Sequence, residues 1–120
     1  STSILAAEAR PDAIRFNTQP KNWSILQLYE FKSSKTEFNP KKKLEGFARL
    51  LTNLRSRQNY LQALLTESFG EFVEIPQTIQ IPNDQEIEVV FMTPIHRETL
   101  HRIPTDFRLS HIRVKKGNGK

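Results

Sequence analysis

Between Asn39 and Phe69, apolar side chains recur at three- and four-residue steps: Leu44, Phe47, Ala48, Leu51, Leu54, Leu61 and Leu65. That spacing lays one apolar stripe along a helix, and the stripe demands a second surface to bury it. Asn39-Pro40 supplies the start, as an N-cap residue followed by proline at the first helical position. The stripe, interrupted by Gln58, predicts one helix over roughly 25 residues that stops around Ser68-Phe69-Gly70. Strand-like segments frame it. Ile25-Leu26-Gln27-Leu28-Tyr29-Glu30-Phe31-Lys32 precedes the helix, and Glu86-Ile87-Glu88-Val89-Val90-Phe91-Met92 follows it, apolar enough at its end to be buried on both faces. These strands are natural partners. Strand, helix, strand in this order calls for an α/β structure in which the helix covers one face of a sheet.

The remaining segments add to that sheet. Ala13-Ile14-Arg15-Phe16 reads as a strand, and the turn-prone run Asn17-Thr18-Gln19-Pro20-Lys21-Asn22 joins it as a hairpin to the strand from Trp23 to Lys32. Ser3 to Ala9 reads as weakly helical, with Ser3 as N-cap. Phe72 to Pro76 and Thr78 to Pro82 read as short extended segments that their prolines confine to edges or loops. Arg97 to Arg102 reads as a short helix and Phe107 to Val114 as a last strand. A single domain over residues 1–114 then leaves residues 115–120 as a flexible basic tail.

Composition narrows the chemistry. A chain of 120 residues supports one core but not two. With no cysteine, disulfides and thiolate ligands are excluded, so any metal must be held by oxygen or imidazole, and carboxylates suit magnesium, manganese or calcium. Only four glycines and no glycine-lysine-serine or glycine-lysine-threonine triplet disfavour nucleotide-triphosphate chemistry. Zinc spacings and serine-nucleophile motifs are missing from the sequence as well. No apolar run approaches the ~20 residues that span a bilayer, which predicts a soluble protein with no membrane partner. The 18 Lys and Arg against 13 Asp and Glu give a net charge of +5, which favours a polyanion such as nucleic acid.

The chemistry-bearing residues gather around the hairpin. Alternation along a strand sets Glu30 and Lys32 on one face, in a row with Leu26 and Leu28, while Tyr29 and Phe31 take the other. If Asp12 ends a neighbouring strand, two carboxylates converge, and a divalent cation relieves their repulsion most simply. The alternative is a surface ion pair between Glu30 and Lys32, worth under about 1 kcal/mol, with Asp12 an ordinary turn residue. Lys35, Lys41, Lys42, Lys43 and Arg49, with Arg55 and Arg57, form a basic zone suited to phosphate contacts, although residues spread around a helix axis cannot all face one groove. His96, Arg97, His101 and Arg102 form a second basic cluster, read as surface; His111 reads as structural and Trp23 as core.

Pro11-Asp12 followed by Glu30-Phe31-Lys32 resembles the motif of the PD-(D/E)xK nuclease superfamily, the fold of many restriction endonucleases, recombination nucleases and nuclease toxins of bacterial competition systems. The resemblance implies a restriction-endonuclease-like core, a mixed central sheet flanked by helices. It implies that Asp12 and Glu30 hold Mg²⁺ or Mn²⁺, with the peptide carbonyl of Phe31 as a further ligand, and that Lys32 orients or activates water beside the scissile phosphate. A glutamate from the preceding helix often joins such sites, and Glu8 is the only acidic residue before Asp12. The implied activity is metal-dependent endonucleolytic hydrolysis of DNA, or less readily RNA. The small size is also similar to that of detachable toxin domains, which would add an immunity protein as partner and a cytoplasm-like reducing compartment, reached from another cell, as the place of action. Two other functions fit the same residues: a non-catalytic nucleic-acid-binding module, and a protein-interaction subunit that docks through the proline-bounded segments from Phe72 to Pro82.

Overall fold

The computed structural model describes residues 10–19, 22–33 and 39–117. The expected helix from Ser3 to Ala9, with Glu8, lies outside them, as does Lys35. The chain runs β1 (Ala13–Asn17), β2 (Trp23–Phe31), α1 (Pro40–Ser56), α2 (Gln58–Phe69), β3 (Ile79–Gln80), a 3₁₀ turn (Asp84–Glu86), β4 (Glu88–Thr93), α3 (His96–His101) and β5 (Ile112–Lys116). The sheet is mixed and five-stranded, in the order β1-β2-β4-β5, with β3 beside the start of β2. β1 and β2 form the antiparallel hairpin, while β3 and β4 both pair with β2 in parallel, and β4 with β5 likewise. The expected α/β class and mixed sheet are therefore present.

Parallel pairing of β2 with β4 needs a long crossover, and the helical segment provides it. Asn39 caps α1 as expected, its Oδ1 accepting the Lys42 N–H at 3.2 Å, with Pro40 at the first turn. Leu44, Phe47, Leu50, Leu51 and Leu54 then pack with Ile25 and Leu28 of β2 and Val89 and Phe91 of β4 in the core. Burying each such side chain contributes about 1.5–3 kcal/mol.

The structure corrects the sequence reading in three places and narrows it in a fourth. The long helix is two helices, because Arg57 leaves the helical region at φ −134°, ψ 57°. The polar Gln58, which interrupts the stripe, begins α2 and accepts the Ile79 N–H on its side-chain oxygen at 3.3 Å. α2 can thus follow a new direction while Leu61 and Leu65 still reach the core. Leu26 does not share the face of Glu30. Phe16 pairs with Ile25 and Arg15 with Gln27, so Leu26 is the extra residue of a β-bulge. The bulge shifts the alternation by one, putting Ile25 and Leu28 in the core and leaving Leu26 37% exposed. The last strand begins at Ile112 rather than Phe107 and takes in Lys115 and Lys116, residues expected in the tail. Finally, the segments from Phe72 to Pro82 supply only the two-residue β3, anchored by the fully buried Ile79.

Candidate functional site

The end of β2 and the start of α1 bring together the residues that the hairpin motif singles out. Asp12 immediately precedes β1 and is tied to β2 twice: its N–H donates to the Tyr29 carbonyl at 2.8 Å, and its Oδ2 accepts the Phe31 N–H at 2.8 Å. This clamp fixes an exposed carboxylate at the open end of the hairpin, away from its turn. A residue in an extended strand directs its N–H and C=O to the same edge, so the Phe31 carbonyl projects toward the Asp12 side. On the other edge, the Lys32 N–H donates to the Met92 carbonyl at 2.8 Å, continuing the parallel ladder with β4.

Glu30 points into the layer between β2 and α1. It pairs in register with Phe91 and lies on the face of Leu28, and only 5% of its surface is exposed. Its Oε2 lies 3.4 Å from the Lys32 ammonium and its Oε1 lies 3.5 Å from the ammonium of Lys43. Oε1 nevertheless has no hydrogen-bond partner among the described residues. A contact of 3.5 Å supplies charge attraction without a good hydrogen bond. Burial pushes the Glu30 carboxyl above its ordinary value, with the pull of Lys43 opposing it, the Asp12 carboxylate adding to the rise and Lys32 opposing it. The net result is an under-satisfied anion beside a second anion. Such a buried charge is costly to keep unless something completes its coordination.

The residues expected at the site separate into three groups. Glu30 and Lys32 form an ion pair, and Asp12, bonded to the Phe31 N–H, is near enough for its charge to act on Glu30; the Phe31 side chain is 47% exposed and its ring lies 5.7 Å from that of Tyr29 on the opposite sheet face. Lys41 and Lys42 are exposed on the first turn of α1, and Arg49 is exposed further along it. Lys43 was expected among the phosphate contacts, but its side chain turns to Glu30. Arg55, from the same basic zone, is engaged elsewhere, on Asp84 at 2.7 Å and the Pro82 carbonyl at 2.7 Å. A concavity of about 690 Å³ lined by Ser24, Gln58, Gln80 and Glu86 lies at the opposite end of β2 from Glu30.

Sequence reasoning missed two polar clusters. Asp84 accepts from Arg55 and from Arg108, the latter at 2.6 Å. Burial raises the Asp84 carboxyl, but the hydrogen bonds from Arg108 and Arg55 outweigh it and hold the group below its ordinary value. On the sheet face opposite α1, Glu88 Oε1 accepts from Gln27 at 2.6 Å and Arg113 at 2.9 Å, with His111 3.5 Å from Oε2. There too burial raises the carboxyl and the Gln27 and Arg113 contacts overcome it, so Glu88 sits low. In each case the partners are far apart in sequence, and no local motif announces them. His111 and Trp23 behave differently from each other: His111 is exposed, whereas Trp23 packs on the core with Phe16, ring centres 5.6 Å apart.

Among the described residues no group of three or more His, Cys, Asp or Glu side chains could hold a metal ion. Two carboxylates and a backbone carbonyl still suit a hard cation such as Mg²⁺, which retains several waters and commonly uses one or two carboxylates. Oε1 of Glu30, which has no hydrogen-bond partner among the described residues, is the observation that fits such an ion. No family model, curated protein or solved structure matches this chain.

Proposed function

We propose that this protein is a metal-dependent nuclease with a restriction-endonuclease-like core, hydrolysing phosphodiester bonds in DNA in preference to RNA. The observation that carries the reading is Glu30: a carboxylate buried in an α/β layer, one oxygen without a hydrogen bond among the described residues, within the electrostatic reach of Asp12 and 3.4–3.5 Å from two lysine ammonium groups. Asp12 and Glu30 would hold Mg²⁺ or Mn²⁺, with the Phe31 carbonyl as a further ligand. That ion, when bound, supplies a Lewis acid for the phosphate and lowers the pKa of attached water.

The chain's own groups do the rest. The two bonds of Asp12 to the β2 backbone hold its carboxylate at the open end of the hairpin without the entropy of a free loop residue. Packing against α1 orients Glu30. Lys32, 37% exposed at the strand end, presents its ammonium where charge accumulates on the phosphate and on the departing oxygen. Lys41 and Lys42, exposed on the first turn of α1, and Arg49, exposed further along it, would neutralise neighbouring phosphates. An open location at a strand end accommodates a polymer more readily than an enclosed cavity would.

The test is cleavage of plasmid, single-stranded DNA and total RNA in Mg²⁺ or Mn²⁺, with a chelator control, by wild type, Asp12→Ala, Glu30→Ala and Lys32→Ala. Metal-dependent cutting lost in all three folded variants is the expected result. Folded variants that cut like wild type would remove the catalytic assignment. Metal-independent binding without cleavage would leave a nucleic-acid-binding module.

A further inference from the structure

The first turn of α1 runs against helix electrostatics. Partial positive charge collects at a helix N-terminus and favours acidic residues there. α1 begins Pro40-Lys41-Lys42-Lys43, with no acidic residue in its first turn. Lys41 and Lys42 are exposed, but Lys43 turns inward until only 17% of its side chain is accessible. Its ammonium rests 3.5 Å from Glu30 Oε1 and 5.6 Å from the centre of the Phe47 ring. The buried oxygen it faces has no hydrogen bond among the described residues. Three positive charges at a positive helix end make this turn receptive to an anion.

We propose that Lys43 stands in for the cation beside Glu30 in the metal-free protein and moves its ammonium to a substrate phosphate when Glu30 binds a divalent ion. The inference rests on the metal-dependent reading of Asp12 and Glu30. A lysine suits this exchange: its charge sits on a flexible stem with three rotatable donors, so one side chain can serve two acceptors in turn. The loose 3.5 Å contact and cation–π approach hold it without the paired hydrogen bonds that fix an arginine. Once a divalent ion neutralises Glu30, attraction to the carboxylate gives way to repulsion from the ion. The nearest favourable place for the ammonium is then an anion at the N-terminal turn of α1, flanked by Lys41 and Lys42.

Two measurements on the intact chain test it. Mn²⁺ binding without nucleic acid, followed by electron paramagnetic resonance at pH 8, should tighten by at least about five-fold in Lys43→Met, because the competing charge is gone. Lys43→Arg should stay near wild type and Glu30→Gln should lose binding. For a short DNA duplex, the slope of log K against log salt should become shallower by about 0.9 in Lys43→Met with Ca²⁺ present, and not change in chelator. Circular dichroism checks folding; if Lys43→Met unfolds, Lys43→Gln is read in its place, and unfolding of both with a folded Lys43→Arg marks Lys43 as purely structural and overturns the proposal. Unchanged or weaker Mn²⁺ binding in the Lys43 variant, or a slope that changes equally with and without the ion, refutes the exchange and leaves the metal site standing. Absence of Mn²⁺ binding to wild type, or undiminished binding by Glu30→Gln, refutes the metal site and the exchange together.

Discussion

Asp84 and Glu30 are each carboxylates flanked by two cationic side chains, yet their surroundings differ in every respect that decides what a charge is for. Arg55 and Arg108 meet separate oxygens of Asp84 at 2.7 and 2.6 Å, and Arg108 also reaches Thr52 at 3.2 Å. The result joins α1, the 3₁₀ turn and the segment before β5 through charge-assisted hydrogen bonds in good geometry. Around Glu30 the partners are lysines at 3.4 and 3.5 Å, one oxygen has no hydrogen bond among the described residues, and another carboxylate adds repulsion. The Asp84 carboxyl falls below its ordinary value and the Glu30 carboxyl rises above it. The first arrangement stabilises the fold as it stands; the second, on the proposed reading, is where a cation would bind.

Substitution should separate the two. Glu30→Ala and Asp12→Ala are expected to lower the cleavage rate by at least about 10²-fold, the scale on which positioned electrostatic groups act, as measured in initial-rate assays on plasmid. Asp84→Ala should leave the activity of folded protein intact and cost about 2–3 kcal/mol, since two guanidinium groups lose a charged acceptor. Denaturant titration checks that loss, and abolished cleavage in a folded Asp84 variant would break the comparison.

The pH dependence is smaller and opposite in sign at the two sites. Glu30 is raised in the fold from an ordinary value of 4.5, so the folded state binds its proton more readily than the unfolded chain. Its contribution to metal-free stability is therefore present at low pH and declines as pH rises from about 4.5 through the folded value. Asp84 is lowered from 3.8, so its contribution is present above that value and is lost as pH falls through the folded one. Melting curves without metal should show Glu30→Gln gaining on wild type as pH rises, and wild type losing its advantage over Asp84→Asn in acid. The smallest expected effect is at Arg49, exposed on α1: Arg49→Ala should make the salt slope of DNA binding shallower by about 0.9, one phosphate contact, with unchanged stability.

Much of this arrangement was readable from local pattern, because local pattern was its cause. The Asn39-Pro40 helix start, the hairpin from Ala13 into β2, the buried β4 and the short α3 each follow from caps, alternation or turn residues within a few positions. The Glu30–Lys32 pair and the tie of Asp12 to the Phe31 N–H likewise need only a hairpin and a strand period. The bulge at Leu26 was not readable, since one extra residue in a strand exists only relative to its partner. Nor was the break at Arg57, where α2 turns to bring Leu61 and Leu65 onto the core. Lys43 looked like one more surface lysine because its contact with Glu30 depends on how α1 crosses β2. The Asp84 clamp links residues 24 and 29 positions apart, and pairing at that range leaves no sequence signature.

Thermal unfolding in rising Mn²⁺, with no nucleic acid present, tests the account most directly. An ion that binds the folded state should stabilise wild type by about 1.4 kcal/mol for each tenfold increase above its dissociation constant. Asp84→Asn should climb in parallel from a lower starting temperature, and Glu30→Gln should stay flat. A wild type whose melting temperature ignores Mn²⁺, or a Glu30→Gln variant that rises with it, would contradict the claim that the buried carboxylate of β2 is built to receive a cation.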